Sequence, residues 1–160
     1  MSKEAKTNAL RMLDRLKIDY VPHTYTCEEF VDGTRVADML GQPRGQTFKT
    51  IVTASKNGKN YVFVLPVDRE LDLKKCAVVA GEKSLETVHV KDINALTGYI
   101  RGGVSPIGMK KLFPTFIDIS AQEYEKIFVS GGRLGLQIEL SPDDLLKACS
   151  GTFAEITFNV

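Results

Sequence analysis

Two β-type runs, Thr47 to Ala54 and Tyr61 to Val67, flank the linker Lys56-Asn57-Gly58-Lys59-Asn60, and this pair limits the possible folds more sharply than any other stretch. Asn-Gly between two such runs is a strong hairpin signal, because both residues accept the positive φ of a tight turn. The second run, YVFVLPV, is almost wholly apolar. A strand with no polar side is expected to be covered on both faces.

The remaining elements can be read around this hairpin. Ala9, Leu10, Leu13 and Leu16 recur at helical spacing between charges, which predicts an amphipathic helix from Ser2 to Lys17. Tyr20 to Tyr25 reads as a strand with Val21, His23 and Tyr25 on one face, and Pro22 marks an edge or a strand start. A polar, acidic loop from Cys27 to Asp32 leads to a helix over Thr34 to Leu40, stopped by Gly41. Further helices are predicted over Leu71 to Ala80, entered near Asp72 and ended by Gly81, and over Asp92 to Leu96. Strands are predicted at Val88 to Val90, Thr115 to Ile119, Lys126 to Ser130, Leu136 to Leu140 and Thr152 to Thr157. Ser141-Pro142-Asp143-Asp144 opens a helix ending near Cys149, with a capping serine, a first-position proline and early acids. The sum is a single α/β (α+β) domain over residues 1–160, with a mixed, largely antiparallel sheet curled towards a barrel and flanked by helices.

Composition narrows the function classes. The 160 residues are 43% hydrophobic and 26% charged, ordinary for one globular domain. There is no apolar run long enough to span a membrane and no signal peptide at the polar N-terminus. Cys27, Cys76 and Cys149 are odd in number and widely spaced, which argues against a disulfide framework and a zinc site, and His23 and His89 are the only imidazoles. The chain reads as cytoplasmic, with no metal or other cofactor. Net charge is +1, so contact with RNA would have to come from local clusters: Lys3, Lys6, Arg11, Arg15 and Lys17, or Lys110-Lys111. Such clusters are also ordinary solvated faces.

The stretch TGYIRGGVSPIGMKK, Thr97 to Lys111, is the first candidate site. Its glycines can bring bare backbone N–H groups close to a ligand, and Gly108-Met109-Lys110-Lys111 reads as the opening of a short helix. Such a loop suits a phosphate, a carboxylate or the oxyanion of an acyl transfer. A tight turn between strands would use the same residues. Lys49 is the second candidate. It shares a strand face with Ile51, while Phe48, Thr50 and Val52 take the other. A lysine there faces a pocket, pairs with an anion, or guards an edge strand. Other chemistry falls away by subtraction: no nucleophile elbow, P-loop or dinucleotide fingerprint is present. Helical spacing makes Cys76 a core thiol and Cys149, late in its helix, reads as structural, leaving Cys27 in its polar loop as either a reactive thiol or a bystander.

Lys49 in TFKTIV, Tyr25 in HTY, the loop GYIRGGVSPIGMKK and the strand motif VSGGRLGLQIEL resemble the YbaK/EbsC family. That family comprises free-standing relatives of the editing domain inserted in bacterial prolyl-tRNA synthetases. The resemblance runs from KTNALRMLD to FAEI, nearly the whole chain. It implies a trans-editing aminoacyl-tRNA deacylase that hydrolyses Cys-tRNA(Pro), on a mixed barrel flanked by helices. By the same resemblance Lys49 holds the terminal phosphate or ribose, and Tyr25 and Phe30 shape the pocket. Gly102, Gly103, Val104, Ser105 and Pro106 surround the amino-acid carbonyl, and Gly131 and Gln137 join the substrate contacts. Catalysis would rest on Lys49, Gly102 and Gly103. The substrate's own cysteine thiol would attack its carbonyl, so no protein nucleophile is needed. Mischarged proline tRNA is the implied substrate, and prolyl-tRNA synthetase the implied partner.

Gln137 departs from the aspartate that some members carry in the GLDIEL strand. An amide can hydrogen-bond an amine but cannot neutralise an ammonium. Two alternatives therefore stay open: a deacylase for alanine or serine, and a non-catalytic module that binds the acceptor end or a synthetase.

Overall fold

A computed structural model describes residues 5–27 and 29–158. Along the chain lie α1 (Asn8–Arg15), β1 (Val21–Thr24), α2 (Gly33–Met39), β2 (Phe48–Ala54), β3 (Asn60–Pro66) and α3 (Leu73–Ala80). Then follow β4 (Glu86–Thr87), α4 (Val90–Thr97), β5 (Thr115–Asp118), β6 (Ile127–Ser130), β7 (Leu136–Leu140), α5 (Pro142–Cys149) and β8 (Thr152–Ala154). Four helices start where a short polar side chain can accept an open N–H. Thr7 accepts from Leu10 N, Asp32 from Arg35 N, Asp72 from Lys74 N and Lys75 N, and Ser141 from Asp144 N.

The strands form a three-stranded sheet in the order β1-β7-β6 and a five-stranded sheet in the order β4-β2-β3-β5-β8. A parallel bridge between Thr47 and Phe128 joins them. The central strand is β3, antiparallel to β2 and parallel to β5. Alternation sends its side chains into two separate cores. Val62 and Val64 enter the main core with Phe48, Val52, Ile117, Ile138 and α1 residues Ala9 and Leu13. Tyr61, Phe63 and Leu65 enter a second cluster with Cys76 and Ala77 of α3. The uniformly apolar run is therefore buried on both sides, and the single mixed α/β domain matches the sequence reading.

Three expected elements differ. The strand expected at Val88–Val90 is displaced to Glu86–Thr87, and Val90 already begins α4. β2 offers this edge a partner only at Thr53 and Ala54, followed by Val52 O, which accepts from Val88 N. No helix opens at Gly108: that residue has φ +72°, and Lys110 N donates to Thr97 O at 2.9 Å. The last strand stops at Ala154, and Thr157 returns only as an isolated bridge to Leu71. In the first helix Thr7 is the cap, and the expected start at Ser2, with Lys3, lies outside the described residues.

Phe63 is fully buried and stacks on Phe116 with ring centroids 5.4 Å apart. Truncation there leaves a cavity between the sheet and α3, so Phe63→Ala should lower the unfolding free energy by about 3–5 kcal/mol. Urea denaturation checks this, and a loss below about 1 kcal/mol would contradict the placement of β3 at the centre.

Candidate active site

The bridge between Thr47 and Phe128 also sets the candidate site. Two residues beyond that bridge on either strand, Lys49 and Ser130 both line the same cavity. Ser130 is in turn opposite Gln137 on β7, and Gln137 is opposite His23 on β1. Ser130 and Gln137 thus share one cross-strand row, and Lys49 lines the same cavity across the seam between the sheets. Beyond Thr47 the second edge of β2 meets no strand until Thr53 pairs with β4, and residues 48–52 line a cavity of about 620 Å³. Tyr25, Phe30, Asp32 and Val36 wall it on one side, and Arg101, Gly102 and Val104 on another.

Two atoms in this wall lack what burial normally demands. Thr50 Oγ1 and Gln137 Oε1 are sealed from solvent and have no hydrogen-bond partner among the described residues. Leaving such an atom unpaired costs about 1–3 kcal/mol, so each of the two is in want of a donor. Gln42 is the other described side chain in this condition, and it lies outside the cavity wall.

Glycines shape the opposite wall. Gly102 has φ +87°, and a Cβ there would come within 2.6 Å of Leu134 and 3.1 Å of Phe30. At Gly103 a Cβ would sit 2.8 Å from the Arg133 backbone, so only glycine lets this loop rest on the second glycine turn. The Gly103 amide donates to Ile100 O at 2.8 Å and holds the turn closed. The N–H groups of Gly102 and Val104 make no hydrogen bond among the described residues. At the rim, the Arg101 guanidinium stands 3.9 Å from the centre of the Phe30 ring.

Burial pushes the Lys49 ammonium below its ordinary value, and the carboxylates of Glu70, Asp32 and Asp68 act against that shift. Burial raises the Tyr25 hydroxyl, with the Gly135 backbone acting the other way. Asp32 is held below the usual carboxylate range by Thr34 and by the amide of Arg35, as befits a helix cap. Among the described residues, no histidine or cysteine lines the cavity. His23 is bonded to Glu139 at 2.8 Å, on the same face but beyond the wall. Cys76 and Cys149 are buried, and burial pushes both thiols up to about 12. Cys27 is half-buried in its loop, with its thiol donating to Glu29 O.

Of the residues singled out in the sequence, the structure brings Lys49, Tyr25, Phe30, Gly102, Val104 and Gln137 together around this cavity. Gly103, Ser105, Pro106 and Gly131 lie behind the wall. Ser105 is fully buried, its hydroxyl accepting from Ile107 N, and Gly131 N donates to Leu136 O. Ser130, Thr50, Asp32 and Arg101 also line the cavity and escaped the sequence reading. Thr50 and Arg101 adjoin residues that stand out in the sequence. Ser130 could have been found only through the cross-strand register.

The aminoacyl-tRNA editing domain family model matches residues 22–148. The chain is 47% identical over 155 residues, 96% of its length and 94% of the relative's, to an Enterococcus faecalis protein whose provisional name is Cys-tRNA(Pro)/Cys-tRNA(Cys) deacylase EbsC. It is 30% identical over 114 residues to a proline–tRNA ligase of Thermosipho africanus, covering 71% of this chain and 18% of that one. A crystal structure provisionally described as a trans-editing enzyme for prolyl-tRNA synthetase superposes with a TM-score of 0.80 at 22% identity, over 98% of this chain and 100% of that one. The fold, the cavity and these matches converge: the chain belongs to the aminoacyl-tRNA editing domain family, and its chemistry is that of an aminoacyl-tRNA deacylase.

Proposed function

We propose that this deacylase clears cysteine from mischarged proline tRNA, acting in trans to prolyl-tRNA synthetase. The observation that carries the reading is the pairing of unsatisfied acceptors with open donors in a cavity that holds no histidine and no cysteine. An aminoacyl ester is already activated, so positioning and oxyanion stabilisation suffice to cleave it. Gln137 Oε1 accepts a hydrogen bond from the substrate amine. The N–H groups of Gly102 and Val104 face the carbonyl oxygen, where negative charge develops. Lys49 holds the phosphate or ribose of the terminal adenosine. Tyr25 and Phe30 close the pocket around the amino acid.

In this scheme the substrate thiol supplies the nucleophile. Its sulfur bonds to the carbonyl carbon, the ester C–O bond breaks, and the thiol proton ends on the released ribose hydroxyl. Cysteine leaves as a thiolactone, which water then opens. The relatives support the choice of amino acid and tRNA, since one is named for Cys-tRNA(Pro) and another is a proline–tRNA ligase. One feature favours a second reading. Gln137 cannot neutralise an ammonium as a carboxylate does, which leaves room for alanine or serine as the amino acid removed.

Release of labelled amino acid from cysteine-, alanine-, serine- and proline-charged proline tRNA tests the proposal. Cysteine should be released fastest, by at least about tenfold over serine, because a thiol is far more easily ionised than a hydroxyl. Equal rates for cysteine and serine would point to attack by water, and preferential release of alanine would move the specificity. Lys49→Ala should lower kcat/KM by about a hundredfold while the thermal midpoint holds. Turnover close to that of the parent protein would remove Lys49 from the mechanism. The triple variant Cys27→Ser, Cys76→Ala, Cys149→Ala should keep its specific activity when folded, and a lost activity restored by Cys27 alone would reveal a protein nucleophile.

A further inference from the structure

The two basic clusters seen in the sequence are far apart in the chain but adjacent in the fold. A Cβ on Gly108 would lie 2.8 Å from the backbone of Asn8, so the loop leaving the cavity rests directly on α1. The Tyr99 hydroxyl donates to Ile107 O at 2.6 Å, which fixes the loop on its way there. Between the two runs is a shallow groove of about 520 Å³, lined by Arg11, Met12, Asp14, Arg15, Gly108 and Met109. Lys110 and Lys111 follow at its end, both exposed.

Charge is concentrated here. Residues 5–18 and 97–111 hold seven of the chain's 21 basic residues and one of its 20 acidic residues, leaving 14 basic against 19 acidic elsewhere. The single acid, Asp14, is taken by Lys6 and by the Tyr20 hydroxyl. Arg15, Lys17, Arg101, Lys110 and Lys111 form no salt bridge among the described residues. A near-neutral protein thus gathers basic residues on α1 and on the loop that leaves the cavity. Arg101 stands at the cavity end of that loop, and from Val104 to Gly108 the chain covers at most about 14 Å.

We propose that the groove between α1 and Gly108–Met109, with Arg11, Arg15, Lys110 and Lys111, is the track for the RNA phosphate backbone next to the charged end. This rests on the deacylase reading above, which puts the esterified adenosine in the cavity. A backbone leaving that cavity past Arg101 meets these side chains next. They touch no reacting atom, so their contribution is to binding alone, and it is screened by salt.

The double variants Arg11→Gln/Arg15→Gln and Lys110→Gln/Lys111→Gln test the track. Lys56→Gln/Lys59→Gln, in the β2–β3 turn, removes equal charge as a control. Binding of uncharged proline tRNA, followed by fluorescence anisotropy between 50 and 200 mM salt, should weaken roughly tenfold in each test variant. The slope of log K against log salt should fall by about 1.4 to 1.8, while the control stays near the parent protein. Deacylation of full-length cysteinyl-tRNA should drop in parallel, with the cysteinyl ester of adenosine cleaved as before. If test variants match the control in affinity and slope, the track is wrong and the patch is left to an acidic protein surface. If the parent protein cleaves neither cysteinyl ester, the cysteine specificity proposed above fails, and the binding data still judge the track on their own.

Discussion

The burial of β3 on both faces governs everything else in this domain. Val62 and Val64 on one side, and Tyr61, Phe63 and Leu65 on the other, commit this strand to the middle of the fold. Each fully buried apolar side chain contributes about 1.5–3 kcal/mol, so alternative registers that expose either set are strongly disfavoured. The antiparallel register then places Lys49 opposite Leu65 and Thr50 opposite Val64. A cation and an orphaned hydroxyl are thereby held at the cavity by packing that neither of them supplies. Packing of this kind fixes polar groups in place before any ligand arrives.

The site exists because the sheets join at Thr47–Phe128 and then part. Where β2 and β6 separate, no strand covers the edge of β2, and the two glycine turns close in from the other side. Gly103 permits that approach by resting against the Arg133 backbone. The same loop continues to α1, so cavity wall and cationic groove are parts of one run of chain. Its internal bonds, Gly103 N to Ile100 O and Lys110 N to Thr97 O, explain why it forms turns rather than a helix.

Much of this is legible in the amino-acid sequence. Asn57-Gly58 and the unbroken apolar run announce the hairpin, and Asp72, Gly81 and Ser141 announce their helix ends through local chemistry. Lys49 stands out because a cation in an apolar strand needs a reason. What cannot be read there depends on tertiary partners. The strand expected at Val88–Val90 moves because the available edge of β2 is set elsewhere in the fold. Ser130 joins the site because β6 meets β2 at Phe128 and pairs Ser130 with Gln137, with nothing unusual in its own neighbourhood. Ser105, Pro106 and Gly131 belong to motifs that the sequence flags, yet they lie beneath the wall. Proximity in a motif does not tell which residues face the cavity.

The decisive experiment is a crystal structure with cysteine linked to adenosine through a stable amide. The cysteine amine is expected within about 2.7–3.2 Å of Gln137 Oε1, and the carbonyl oxygen at similar distance from the N–H groups of Gly102 and Val104. Lys49 should lie against the ribose or the phosphate position. A ligand bound outside this cavity, or one whose carbonyl contacts a serine, threonine or cysteine side chain poised for attack, would overturn the mechanism.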